Sequence, residues 1–220
     1  MMIKISNLLP PDEISAIAKQ LNPADFIDGK VTAGWAAKKV KNNSQLDSKS
    51  NYGNNIKDRL KKALMNHPKF KAAAMPKTIH SIMISRYEEG MSYGAHVDNA
   101  FMNNNLRSDI SFTIFLSSPQ DYEGGELIIQ EAETVRAIKL DAGSVILYPS
   151  STLHRVSLVE TGVRLVAVGW VQSLFRDPAQ REIIYELDCV RRAIFNSNGK
   201  THEFDLISKS MTNLMRQWAD

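Results

Sequence analysis

Cysteine is almost missing from this chain. Cys189 stands alone among 220 residues, so no disulfide framework is possible and nothing in the sequence calls for an oxidising compartment. Long hydrophobic runs are missing too: no segment approaches the length of a membrane span. The N-terminus reaches Pro10, Pro11, Asp12 and Glu13 before the apolar stretch of a secretory signal could develop. A cytoplasmic protein without a membrane partner is therefore expected. A strong excess of one sign of charge is missing as well, the formal net charge being +3. The densest basic cluster, Lys38, Lys39 and Lys41, reads as a solvated loop rather than a stripe that would grip nucleic acid. Internal repeats and low-complexity tracts are absent. With 43% hydrophobic residues, the chain can bury a proper core as one globular domain.

Periodicity divides the chain into three parts. In residues 1–77, Ile14, Ile17, Ala18 and Leu21 mark one amphipathic helix, and Ile56, Leu60, Ala63 and Leu64 mark a second that ends near His67-Pro68. Between them, Asn42 to Asn55 reads as loop. Residues 78–174 turn to short β-rich runs: Thr78 to Tyr87, Asp109 to Leu116, Glu126 to Gln130, Val135 to Leu140, Ser144 to Tyr148, Leu153 to Val159 and Val163 to Val171. Gly124-Gly125 and Asp141-Ala142-Gly143 stand where tight turns are needed. The close spacing leaves no room for crossover helices, which favours antiparallel sheets and a two-sheet jelly roll. In residues 175–220, Asp177 caps a helix with Ile183, Leu187, Val190 and Ile194 on one face; a break at Asn196 to Gly199 precedes another with Phe204, Ile207, Met211, Leu214 and Trp218. This helical hairpin either caps the roll or forms an interface in a homo-oligomer, and capping is the preferred reading. The fold class is α+β, mainly β, with N-terminal helices and a C-terminal hairpin.

The chemistry gathers at His96-x-Asp98, His154 and Arg164. In an extended segment residues at i and i+2 point to the same side, so His96 and Asp98 can face one point. Two imidazoles and a carboxylate can hold one face of a six-coordinate iron and leave three positions for other ligands. His154 shares a strand side with Val156 and Leu158, which turns it inward. Taken singly it reads as a core histidine; in this company it reads as a ligand. Arg164 shares parity with Val166, Val168 and Trp170, an apolar face on which an unpaired guanidinium is costly. Its partner is either an internal carboxylate, Asp109 or Glu126, or a dicarboxylate ligand gripped through two charge-assisted hydrogen bonds; the second is favoured. Tyr87 has two equal readings, packing or donation of its hydroxyl to that ligand. Tyr93 reads as packing near the substrate entrance. Asn99, Ser111 and Thr113 are candidate hydrogen-bonding neighbours that sequence does not select, while His67, His80 and His202 read as structural or exposed.

The strings RYEEGMSYGAHVD, SDISFTIFL, YEGGELII, GSVILYPSSTLHRV and GVRLVAVGW resemble the prolyl/lysyl-hydroxylase-domain branch of the Fe(II)/2-oxoglutarate dioxygenases, and VQSLFRDPAQREIIYELD extends the likeness to the bacterial PKHD-type hydroxylases, a group linked to iron-uptake loci. The resemblance implies a double-stranded β-helix with His96, Asp98 and His154 as iron ligands and Arg164 as the 2-oxoglutarate anchor. Tyr87 is implied to touch the co-substrate, and ascorbate to sustain activity. Some relatives carry a second co-substrate tyrosine where this chain has Phe115, so that contact is lost or replaced. The implied reaction is hydroxylation of an unidentified substrate using dioxygen and 2-oxoglutarate, with release of succinate and CO2. Three alternatives stand beside it: a nucleic-acid demethylase of the same superfamily, a non-catalytic iron or 2-oxoglutarate sensor, and an interaction module whose histidines bind nothing.

Overall fold

The run Ile110-Ser-Phe-Thr-Ile-Phe115 organises the molecule, because every one of its side chains is buried. A strand covered on both faces needs a layer on each side. Here Ile110, Phe112 and Ile114 face a helical layer, while Ser111 and Thr113 line a cavity within the roll. The structure, a computed structural model, describes residues 1–50, 52–102 and 105–220.

The N-terminal part supplies strands as well as the expected helices: β1 (Ile3–Ile5), β2 (Phe26–Asp28), β3 (Lys41–Asn42) and β4 (Ser44–Leu46), with α1 (Pro11–Gln20), α2 (Gly53–Asn66) and α3 (Pro68–Ala74). The supposed loop from Asn42 onward is thus partly strand, although Asn51 lies outside the described residues. Its polar residues hid this: Asn43 and Gln45 are buried. The roll follows as β5 (Pro76–Tyr87), β6 (Ser92–His96), β7 (Phe101–Met102), β8 (Leu106–Arg107), β9 (Ile110–Phe115), β10 (Tyr122–Gly124), β11 (Leu127–Gln130), β12 (Val135–Ile138), β13 (Val145–Pro149), β14 (Leu153–Val156), β15 (Val159–Gly162) and β16 (Arg164–Ser173), and the chain closes with α4 (Pro178–Asn198) and α5 (His202–Trp218).

A seven-stranded sheet runs β1-β13-β9-β16-β5-β4-β2, and a five-stranded sheet runs β12-β11-β14-β6-β3. Every pairing in them is antiparallel, as the short connections require. Ile17, Ile56, Leu60, Leu64 and Phe70 from α1, α2 and α3 pack with Ile82, Ile84, Phe112 and Ile114 of the larger sheet. Between the sheets lies a second apolar cluster that includes Tyr87, Phe115, Leu127, Ile129, Tyr148 and Val166. Gly124 and Gly125 take φ of +68° and +65°, which only glycine adopts at little cost. A methyl on Gly125 would stand 3.1 Å from Arg164 Cδ.

The strand bearing His154 stops at Val156; a separate strand starts at Val159, and Leu158 is exposed rather than inward-facing. In α4 the buried face runs through Arg181, Ile184 and Asp188, one residue away from the expected apolar face, and Ile183 and Val190 are exposed. Polar residues can occupy this inner face because each is satisfied. Arg181 Nη1 donates to the carbonyls of Phe175 and Arg176 at 2.6 and 2.8 Å, and Asp188 accepts from Arg191 and Arg192. The Asp177 cap accepts from Ala179 N at 2.7 Å, as expected. Helix α5 buries Met211 and packs Leu214 and Trp218 with Met75, Phe175 and Ile184, so the hairpin packs beside the end of α3 and the segment that follows β16. Among the described residues no helix is long and apolar enough to cross a membrane.

Candidate metal and dicarboxylate site

Strands β6 and β14 lie side by side with His96 opposite His154, and Asp98 follows two residues beyond His96. One potential ligand atom from each of these three residues lies within 4.8 Å of the others. The imidazole centroids are 4.3 Å apart, and His154 Nε2 is 3.8 Å from Asp98 Oδ2. The backbone orients both rings. His96 Nδ1 donates to the Gly94 carbonyl at 2.8 Å and His154 Nδ1 to the Thr152 carbonyl at 2.9 Å; with the proton at Nδ1, each Nε2 keeps a lone pair for a metal. Ser111 Oγ donates to Asp98 Oδ2 at 2.6 Å and lies 2.8 Å from Ser150 Oγ. Burial, aided by the adjacent His154, lowers the His96 pKa to about 4. A neutral imidazole is the form that binds metal, so the donor set fits a divalent ion.

Arg164 begins β16 directly opposite Tyr87 of β5. It is 1% exposed, and its Nε and Nη1 have no hydrogen-bond partner among the described residues. The internal carboxylates considered as partners are engaged elsewhere: Asp109 pairs with Arg107 at 2.7 Å, and Glu126 accepts from Ser157. The guanidinium carbon lies 5.0 Å from the Tyr87 ring centroid and 5.8 Å from that of Phe115. A buried guanidinium with orphaned donors is completed by an anion. The chemistry of this end therefore fits a carboxylate.

His96, Asp98, His154, Arg164 and Tyr87 all line one cavity of about 640 Å³. This is within the range of roughly 300–1,000 Å³ that small-molecule sites occupy. Sequence reasoning missed three contributors. Tyr148 sits edge-on to His154 with centroids 5.2 Å apart; burial and the charge of Asp98 raise its phenol pKa, against the Thr113 hydroxyl and Arg164. Strand parity was the available signal, since Tyr148 pairs with Ser111 across β13 and β9. His80, read as structural, lines the cavity, whereas His202 begins α5 on the surface.

Lys41 is the third, and it corrects the solvated-loop reading. Lys38 and Lys39 are exposed, but Lys41 is 4% exposed on β3, opposite Tyr93. A cluster of lysines carries no periodic signal, so sequence could not separate them. Burial lowers the Lys41 pKa to about 8, against the charges of Asp28 and Asp98. Tyr93 does more than pack at an entrance: its ring stacks on His96 with centroids 3.7 Å apart and planes 17° from parallel.

The 2OG-Fe(II) oxygenase superfamily model matches residues 82–172. The chain is 56% identical to a PKHD-type hydroxylase of Acaryochloris marina and 53% identical to one of Gloeothece citriformis, each over the whole of both chains. Among solved structures, it resembles a prolyl hydroxylase from Trichoplax adhaerens in complex with a hypoxia inducible factor oxygen degradation domain peptide fragment. The TM-score is 0.55 at 16% identity, covering 77% of this chain and 83% of that one.

Proposed function

Since this chain belongs to the PKHD-type hydroxylases of the 2OG-Fe(II) oxygenase superfamily, we propose that His96, Asp98 and His154 are its iron ligands and that Arg164 anchors the far carboxylate of 2-oxoglutarate. The observation that carries this reading is one cavity holding both a preoriented His-Asp-His set and a buried guanidinium with orphaned donors. The enzyme is an Fe(II)- and 2-oxoglutarate-dependent hydroxylase of an unidentified substrate.

Bound Fe(II) supplies the dioxygen chemistry that converts 2-oxoglutarate to succinate and CO2 and hydroxylates a substrate C–H bond. The protein's own groups position and desolvate. His96 and His154 present Nε2 because Gly94 and Thr152 hold their Nδ1 protons, and Ser111 fixes the Asp98 carboxylate. Arg164 binds and orients the dicarboxylate, with Tyr87 beneath it. Tyr148 supplies a hydroxyl in place of the tyrosine for which this chain has Phe115; what supports this is its burial between Asp98 and Arg164, whose charges both act on its phenol. The apolar walls of Leu127, Val156 and Val168 keep bulk water away.

Ascorbate is assigned as the reductant that keeps iron ferrous, and the cytoplasm as the compartment, a reducing environment suited to the lone exposed Cys189. We divide the chain into a support region (1–77), the catalytic roll (78–174) and a capping hairpin (175–220).

The deciding experiment is anaerobic addition of Fe(II) and 2-oxoglutarate followed by air. A weak visible band and then succinate are expected. A wild-type protein that gives the band but no succinate would instead be a sensor, and a His96→Ala variant that kept both would remove the metal assignment.

A further inference from the structure

Arg164 is one of two buried cations lining the cavity; among the described residues the other is Lys41. Its ammonium donates to Thr32 Oγ1 at 3.0 Å and lies 5.2 Å from the Tyr93 ring centroid, the ring that stacks on His96. Thr32 Oγ1 lies 2.5 Å from Gln45 Oε1, so its proton is used there and a lone pair faces the lysine. Lys41 forms no ion pair with a carboxylate among the described residues. An ammonium carries three donor hydrogens, and the described residues engage one. Confining it without a counter-ion is unfavourable, yet Asp28 and Asp98 act on it only at a distance and offset part of the burial effect. A further unmatched donor, Trp170 Nε1, is buried in the wall of the same cavity.

We infer that Lys41 is the substrate-docking cation of this hydroxylase, and that the molecule it oxidises carries a carboxylate which Lys41 binds while a C–H bond faces the metal ligands. This rests on the iron and 2-oxoglutarate assignment above, which commits Arg164 to the co-substrate and leaves Lys41 for the third reactant. One buried positive charge, in direct contact with the neutral Thr32 hydroxyl and Tyr93 ring and with no carboxylate paired to it among the described residues, matches a singly charged anion. A phosphate dianion calls for more than one cation or a nest of backbone donors. Placed one aromatic ring from His96, the ammonium stands where it can hold a small acid beside the metal.

The test uses the full chain loaded anaerobically with Fe(II) and 2-oxoglutarate, and reads perturbation of the visible band rather than turnover. The probes are the N-acetyl derivatives of the proteinogenic amino acids, each as free acid and as primary amide. At least one acid is expected to perturb the band and bind about tenfold or more tighter than its amide. Lys41→Met and Lys41→Gln, checked for folding by thermal melting, should lower that acid to the level of its amide while leaving 2-oxoglutarate affinity within about threefold of wild type. A normal wild-type band with no acid preference anywhere in the set overturns the inference alone. So does a loss of 2-oxoglutarate binding in both folded variants, which would assign Lys41 to the co-substrate. A wild-type protein without the band would overturn the iron assignment first, and this inference with it.

Discussion

The two buried cations of the cavity sit in different kinds of structure. Arg164 stands on β16, a central strand of the seven-stranded sheet, against the rings of Tyr87 and Phe115. Lys41 stands on β3, the edge strand of the five-stranded sheet, held by a threonine hydroxyl and one tyrosine face. The superfamily match covers residues 82–172. It takes in Tyr87, His96, Asp98, His154 and Arg164 and stops short of Lys41. On the proposed reading the difference teaches a division of labour: residues inside the matched region hold iron and the co-substrate, and an edge strand from the N-terminal region, outside that match, holds the third reactant.

The largest effect should come from the metal ligands. His96→Ala or Asp98→Ala is expected to abolish the band with 2-oxoglutarate and all succinate formation, measured by absorbance and by product chromatography. Next comes Arg164→Met, which keeps the stem but removes the charge. Losing a desolvated charge-assisted pair costs on the order of 2–5 kcal/mol, so the Kd for 2-oxoglutarate should rise roughly 30-fold or more. Titrating Arg164→Met and Lys41→Met side by side with 2-oxoglutarate sharpens the contrast. If both variants lost co-substrate affinity equally, the division between centre and edge would fail.

The same contrast governs what the sequence revealed. Arg164 announced itself because strand parity put it in register with Val166, Val168 and Trp170, and a lone guanidinium on an apolar face demands an explanation. His96-x-Asp98 and His154 were legible for a similar reason, from extended-chain alternation. Lys41 was not. It lies in a strand of two residues, too short to show a period, beside two lysines that are exposed. Tyr148 was missed although its strand was expected, because a tyrosine on a buried strand looks like core until the neighbouring Asp98 and Arg164 are placed. On α4, the polar residues Arg181 and Asp188 took the inner face because each has its own partners, backbone carbonyls for Arg181 and the guanidinium groups of Arg191 and Arg192 for Asp188, which hydrophobic periodicity cannot see.

Between the two ends stands Ser111, whose hydroxyl donates to Asp98 at 2.6 Å from the centre of the large sheet. Removing a hydrogen bond that orients a metal-bound carboxylate typically lowers metal affinity about 10- to 100-fold. Ser111→Ala should therefore weaken Fe(II) binding by that amount in competition with a chelator, while the Kd for 2-oxoglutarate at saturating iron stays near wild type. Unchanged iron affinity would mean that β9 supports the ligand set only by packing.

The smallest effect separates the edge cation from its protein surroundings without any ligand. Burial holds the folded Lys41 pKa near about 8, below its ordinary value of 10.5, so between those two values the unfolded chain binds more protons than the folded one. Stability contributed through this group must then rise as pH increases across that window, and the burial penalty is fully present below it. Lys41→Met has no such group. The metal-free variant should be more stable than wild type below pH 8, and its advantage should shrink as pH climbs towards 10.5, read as the difference in urea midpoints at each pH. The Lys41 charge also acts on His96, whose pKa of about 4 lies well below this window, so the comparison is read from about neutral pH upward, where that imidazole is neutral in both proteins. A gap that stayed constant with pH would show that the ammonium is already compensated in the empty protein, and the edge of the sheet would lose its claim to hold an unmatched charge.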